Sequence, residues 1–177
     1  MIRLLPLLIF LFGMKSAIAQ IPQFPIVKGY GGIYAIPDAV ESPDPAMDYK
    51  ILIDLVSASE DPKQVNKMVD NIARMINLHG IAGIPQEKIK VKVAIHGGAV
   101  YSLLLDSEYK KLHGVNNPNL ALYEALQAAG VDFYICGQSL IGRNISKDQI
   151  WSGAKLALSM LTTVTTYVPQ GYTLMRF

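Results

Sequence analysis

Cysteine is almost missing from this chain: Cys136 is the only one in 177 residues. No disulfide can close within the chain, even in an oxidising compartment. Metal-ligand spacing is missing too. No histidine, cysteine or carboxylate pair falls at the intervals of a metal site, so neither a metal nor another cofactor is expected. Lysine and arginine nowhere cluster into a patch that would follow a phosphate backbone, which excludes nucleic acid as an expected partner. Phosphate-binding signatures are lacking: there is no P-loop and no GxGxxG. Ser102 and Ser139 lack the strand-turn-helix context of a nucleophile elbow, so serine hydrolase chemistry is not expected. Internal repeats and low-complexity tracts are also missing.

Long apolar runs are lacking, with one exception at the very start. Met1 to Ala19 reads MIRLLPLLIFLFGMKSAIA. Arg3 supplies a positive start, Leu4 to Phe12 an apolar run, and Ala17-Ile18-Ala19 a small-x-small cleavage site, which together describe a secretory signal peptide. The run is about half the roughly 20 apolar residues of a membrane span. Cleavage is therefore expected over anchoring, and no cysteine follows the site to carry a lipid. Removal takes two basic residues and no acids, so 16 basic against 14 acidic residues become 14 against 14. The chain that remains, Gln20 to Phe177, is expected outside the cytoplasm without stable membrane insertion. In a Gram-negative source that place is the periplasm; otherwise the protein is secreted. Its length suits one domain with a real core.

What is present begins with an arm. Residues 20–48 hold Pro22, Pro25, Gly29, Gly31, Gly32, Pro37, Pro43 and Pro45 and no sustained period, the mark of an extended segment that packs on the domain or on a neighbouring subunit. The domain proper, residues 49–177, opens with KILIDLV (Lys50–Val56), nearly continuous apolar sequence of the kind buried on both faces of a parallel sheet. Asp61, Pro62 and Gln64 then predict a helix start. Val65, Val69, Ile72, Ala73 and Ile76 form its apolar stripe, and Gly80 its end. KVKVAI (Lys90–Ile95) predicts a second strand. A partly helical stretch follows to Val115, then a helix opened by Asn117-Pro118 and stopped by Gly130. Val131–Ile135 predicts a third strand, Ser146–Gln149 a capping box, and Lys155–Leu158 and Tyr172–Arg176 two further strands. Between those last two, the threonines at 162, 163, 165 and 166 favour strand locally, while Leu161, Val164 and Val168 are spaced for a helix, which is the assignment made here. Strands alternating with helices predict an α/β fold, a mostly parallel sheet of about five strands in a three-layer sandwich.

Open parallel sheets bind ligands at the carboxyl edge. Two strands end there in residues capable of chemistry: His96 before Gly97-Gly98, and Cys136 before Gly137-Gln138. A thiolate is a good nucleophile, and its pKa falls beside a cation or a helix start; the bland reading of a lone cysteine is a buried small hydrophobe. His96 could lower that thiol's pKa or hold an anion, or it could simply satisfy a strand-end carbonyl. Gly97 and Gly98 could offer N–H groups to an anion. Arg143 is a further candidate for the positive partner. His79 and His113 are expected at the surface near helix ends.

HGGAV (His96–Val100), then NNPNLALYEALQAAGVDFYICGQSL (Asn116–Leu140), then QGYTLMRF (Gln170–Phe177) resembles the DsrE/DsrF-like family of small sulfur-relay proteins. The resemblance covers roughly Tyr49 to Phe177. It implies a flavodoxin-like fold, assembly into homo-oligomers such as trimers or hexamers, and a last helix starting near Ser159. It also implies that Cys136 accepts sulfane sulfur as a persulfide and passes it on, with a donor or acceptor protein as partner and an activity at most sulfurtransferase-like. Two features depart from the cytoplasmic members: the signal peptide, and Pro169, which should stop the last helix by Val168. The rival function is a non-catalytic oligomeric module that binds a small anion at the same edge through Gly97, Gly98, Gly137 and Gln138.

Overall fold

The computed structural model describes residues 20–177; the signal peptide expected at 1–19 lies outside them. Five strands form one all-parallel sheet: β1 (Tyr49–Leu55), β2 (Ile89–Ile95), β3 (Asp132–Cys136), β4 (Ala154–Ala157) and β5 (Thr173–Arg176). Their order across the sheet is β4-β3-β2-β1-β5. The chain walks outward from β1 to β4 and then returns to the far side of β1. With right-handed crossovers that reversal puts helices on both faces, giving the flavodoxin-like α/β sandwich. Helices α1 (Lys67–Ile81) and α3 (Leu120–Ala128) cover one face, with the short α2 (Asp106–His113) between them in the chain, and α5 (Met160–Tyr167) covers the other.

The two faces differ because the strands alternate. Ile51, Ile53, Leu55, Val91, Val93, Ile95, Phe133 and Ile135 point to α1 and α3, where they meet Val69, Ile72, Ile76, Leu122 and Leu126 in the core. Full burial of each such side chain contributes roughly 1.5–3 kcal/mol. The intervening residues Leu52, Asp54, Ala94, Lys92, Tyr134 and Cys136 point to α5. That second face is the polar one.

The start of α1 differs from the expectation drawn from Asp61 and Pro62. The helix begins six residues after Asp61, at Lys67, because Asn66 caps it: its Oδ1 accepts from the Met68 amide at 2.9 Å. Asp61 instead closes a local turn, accepting from the Lys63 amide at 2.9 Å. Asn66 is fixed from afar, its amide donating to Asn119 Oδ1 at 2.7 Å. The other end passes the predicted stop at Gly80 by one residue. Helix α5 forms as expected, and the chain turns into a tight 3-10 turn at Val168–Gln170 around Pro169.

Residues 20–48 carry no helix or strand beyond a bridge between Gln23 and Ile33. They pack on α1 through Asn77, which accepts from the Ile26 and Val27 amides and donates to the carbonyls of Tyr30 and Gly31. Gly31 has φ +60°, and a Cβ there would collide with the Arg74 amide nitrogen, so glycine is required for this contact. Among the described residues no helix is long and apolar enough to cross a membrane.

Candidate functional site

Register brings four side chains of different strands into one row at the carboxyl edge. Arg176 of β5 pairs with Asp54 of β1, Asp54 with Ala94 of β2, and Ile95 with Ile135 of β3. His96 and Cys136, each one residue further on, are therefore neighbours on the α5 face. Adjacent strands are about 4.8 Å apart, so His96 and Cys136 share a site. The structure brings these two predicted residues together.

Cys136 ends β3 and precedes the short helix α4 (Gly137–Ile141). Burial pushes its thiol pKa up, and that is the largest single influence. The Ser139 hydroxyl and the amides of Met160, Ser139 and Gln138 act the other way, and together they hold the pKa below its ordinary value. These donors come from two directions, since Met160 begins α5. The Gln138 and Ser139 amides make no formal capping bond to the sulfur, so they act as aligned dipoles in a poorly hydrated site. Only 6% of the Cys136 surface is exposed, less than an open thiol would show. Leu156 and Leu158 pass beside the adjacent Gly137 and are themselves more than half exposed.

His96 Nε2 lies 2.6 Å from Asp54 Oδ1. The second Asp54 oxygen faces Arg176 Nε at 3.6 Å, and the Arg176 side chain is largely exposed. Asp54 belongs to the site as well, between His96 and Arg176. Its signal was present: it is the one acid inside KILIDLV, and an unpaired buried carboxylate is rare. Ser139, in the polar turn after Cys136, lacks a hydrolase nucleophile's context but has a role through its hydroxyl. Its position three residues after Cys136, on the first turn of a helix, is what aims the hydroxyl at the sulfur.

The glycines have packing roles. Gly97 has φ +56°, and a Cβ there would meet Val56 Cγ2 at 2.8 Å; at Gly98 it would meet the Ala58 amide nitrogen at 3.1 Å. The Gly97 amide donates to Ser139 Oγ at 3.3 Å, which ties the end of β2 to α4. Gly137 lets the Ala157 carbonyl approach to 3.0 Å of where its Cβ would stand. Gln138 contributes its amide to the sulfur's surroundings. Arg143 is not the thiol's partner: its guanidinium turns back to the Ser139 carbonyl at 3.5 Å and lies over the Tyr101 ring. His79 is half-buried, bonded to the Met75 carbonyl and packed edge-on against Tyr49. A cleft of about 530 Å³ lined by Lys90, Lys92, Asp132 and Tyr172 opens at the opposite, amino end of the strands, but no cysteine or histidine lines it. Among the described residues no cluster of histidine, cysteine and carboxylates could hold a metal.

With strand order, cysteine and glycine turns in view, comparison with known proteins decides the family. The family model described as "DsrE/DsrF-like family" matches residues 50–177. The chain belongs to the DsrE/DsrF-like family. Among solved structures, a protein of unknown function from Methanobacterium thermoautotrophicum is similar at 19% identity and a TM-score of 0.54, over 73% of this chain and 100% of that one. This likeness supports the fold alone. No curated protein matches the chain. Membership in the DsrE/DsrF-like family makes the protein a member of a sulfur-relay-like group, whose α/β frame is the one described above.

Proposed function

We propose that this family member is an exported, oligomeric sulfur carrier in which Cys136 accepts sulfane sulfur and passes it on. The observation that carries the reading is a lone cysteine at a strand's carboxyl end, its thiol favoured as thiolate by Ser139 and by amides of two helices. The thiolate attacks the outer sulfur of a donor persulfide. A new S–S bond forms on Cys136 as the donor's S–S bond breaks, and the donor departs as a thiolate that takes a proton from water. Delivery to an acceptor thiolate is the same exchange in reverse, so no net oxidant is needed. Export is supported by the pattern of Met1 to Ala19. Assembly is supported by the exposed Ile141, Leu156, Leu158 and Leu161, which cluster in sequence around the site's covering segments.

Mass spectrometry of protein recovered from the cell envelope tests the three parts together. The expected result is a chain beginning at Gln20, a multimer in the native spectrum, and a dithiothreitol-reversible gain of one or two sulfur atoms after incubation with a persulfide donor. Cys136→Ser should take up none. A wild-type thiol that stays unmodified would remove the carrier function and leave a structural cysteine.

A further inference from the structure

We propose that Asp54 is a positioning residue for the thiol chemistry: it fixes the ring of His96 so that Nδ1 is the base that receives the Cys136 proton. The proposal rests on the carrier reading and adds the origin of the thiolate. An ionised carboxylate can only accept hydrogen bonds. At 2.6 Å from Asp54 Oδ1, His96 Nε2 therefore carries the hydrogen, and in the neutral ring the lone pair is left on Nδ1. No hydrogen bond engages Nδ1 among the described residues. The neighbouring side chain in register on the next strand is Cys136.

Asp54 is poorly explained by packing alone. It lies one residue before the carboxyl end of a buried parallel strand, with a side chain only 12% exposed. Its contact with Arg176 is long and made by a guanidinium that is 71% exposed, so water screens it and little is gained there. The short, enclosed contact is with His96. A proton passing from Sγ to Nδ1, directly or through one water, leaves a thiolate beside an imidazolium, and the Asp54 carboxylate stabilises that cation. Proton and charge balance without any other reactant. Arrangements of this kind, in which a buried carboxylate sets the tautomer of a base, depend steeply on the carboxylate's charge.

Among the described residues the charged and titratable groups around His96 are few. Asp54 comes from β1, Arg176 from β5 and Cys136 from β3. Helix α5, packed over this face, carries no charged residue, and its one titratable side chain, Tyr167, bonds Tyr134 toward the other end of the strands. Arg143, following α4, is turned to the Ser139 carbonyl.

The test follows thiolate ultraviolet absorbance of the full mature protein against pH, with Cys136→Ser as the blank. This signal does not depend on access to a buried thiol. Asp54→Asn keeps the side chain's shape but removes its charge, and its amide can donate to Nε2 and reverse the tautomer. The thiolate-to-thiol ratio near neutral pH should fall about tenfold, with the same plateau at high pH. The substitution should change nothing further in a His96→Ala background, because Asp54 acts through the ring. A profile that overlays the wild type overturns the proposal, as does an equal shift with and without His96. Nitrogen-15 shifts of the wild-type histidines need no variant and stand even if Asp54→Asn does not fold: a neutral His96 protonated at Nε2 is expected, and one protonated at Nδ1 refutes the assignment. Neither measurement involves sulfur transfer. Failure of persulfide uptake would sink the carrier function while leaving the proton path intact, and the converse holds equally.

Discussion

The α5 face of the sheet carries two polar groups of opposite character. Toward the amino ends of the strands, Lys92 is enclosed by its own neighbours. Its ammonium donates to Asp132 at 2.8 Å and to the Tyr134 hydroxyl at 3.4 Å. It also lies 5.4, 4.7 and 5.7 Å from the ring centres of Tyr134, Tyr167 and Tyr172. Tyr167 donates to Tyr134 at 3.0 Å, and Lys155 reaches the other Asp132 oxygen at 2.7 Å. Burial disfavours the Lys92 cation more than any other single influence, yet Asp132 and Tyr134 together raise its pKa above the ordinary lysine value. Toward the carboxyl ends, the row Arg176–Asp54–His96–Cys136 is open at one end. Asp54 and His96 satisfy each other, and the thiol is left with donors that favour its charged form. Polar groups on one face thus serve two purposes. A cluster that returns every charge to a partner holds α5 to the sheet; a row that ends in a nucleophile can react.

The sharpest way to break this comparison is to remove one member from each end. Lys92→Ala should cost about 2 kcal/mol through lost cation–π contacts, stem packing and half of the Asp132 pairing. In a chain of this size that lowers Tm by roughly 4–8 °C. Its thiolate titration should match the wild type. Cys136→Ser should do the reverse, with sulfur uptake abolished and stability within about 1 kcal/mol. Thermal melts and adduct masses on both variants decide it. A Lys92→Ala protein that loses thiolate as well as stability would show the two ends to be one coupled unit.

Much of this frame was legible in the sequence, because a parallel strand buried on both faces is a short apolar run and glycines mark its exits. The residues that make the site work were less so. Asp54 sits in KILIDLV, where its meaning depends on which residue of the neighbouring strand lies beside it, and register is not written locally. The start of α1 went to Asn66 rather than Asp61 because Asn66 is held by Asn119, more than fifty residues away. Helix α5 forms despite its threonines for a local reason. The Ser159 hydroxyl accepts from the Thr162 amide, and the Thr163 and Thr165 hydroxyls return to carbonyls four residues back, so residues with a strand preference are satisfied inside a helix. Arg143 misled because closeness in sequence to Cys136 does not survive the turn after α4.

A smaller effect sharpens the carboxyl end. Ser139 Oγ accepts from the Gly97 amide, which frees its own proton for the Cys136 sulfur. Ser139→Ala should lower the thiolate-to-thiol ratio near neutral pH about threefold, the order expected for one hydroxyl donor to a charged acceptor. Unlike Asp54→Asn, it should do so equally with or without His96, because the hydroxyl acts on the sulfur directly. Ultraviolet titration of Ser139→Ala and Ser139→Ala/His96→Ala checks this; an effect that disappears with His96 would place Ser139 in the histidine's path instead.

The smallest expected effect belongs to Asp132 and appears as a dependence on pH. Burial raises its carboxyl pKa and is the largest single influence, but hydrogen bonds and charge from Lys155 and Lys92 together bring it below the ordinary value of 3.8. A carboxyl group whose folded pKa lies below its unfolded one binds protons more readily in the unfolded chain. It therefore contributes stability above the unfolded value, and that contribution is lost as pH falls through 3.8 and then through the folded value. The side chain is 38% exposed, so solvent screening limits the contribution to under about 1 kcal/mol. Asp132→Asn should accordingly melt slightly below the wild type at neutral pH. The difference should shrink as pH drops below the ordinary carboxylate range, where the wild-type group is itself neutral. Melting temperatures of both proteins from neutral pH down to about pH 2 give the comparison. Parallel curves over that range would mean that Lys92 is held by the tyrosine rings and not by the carboxylate. Because Asp132 lies at the closed end of the face, the Cys136 titration should not move at all.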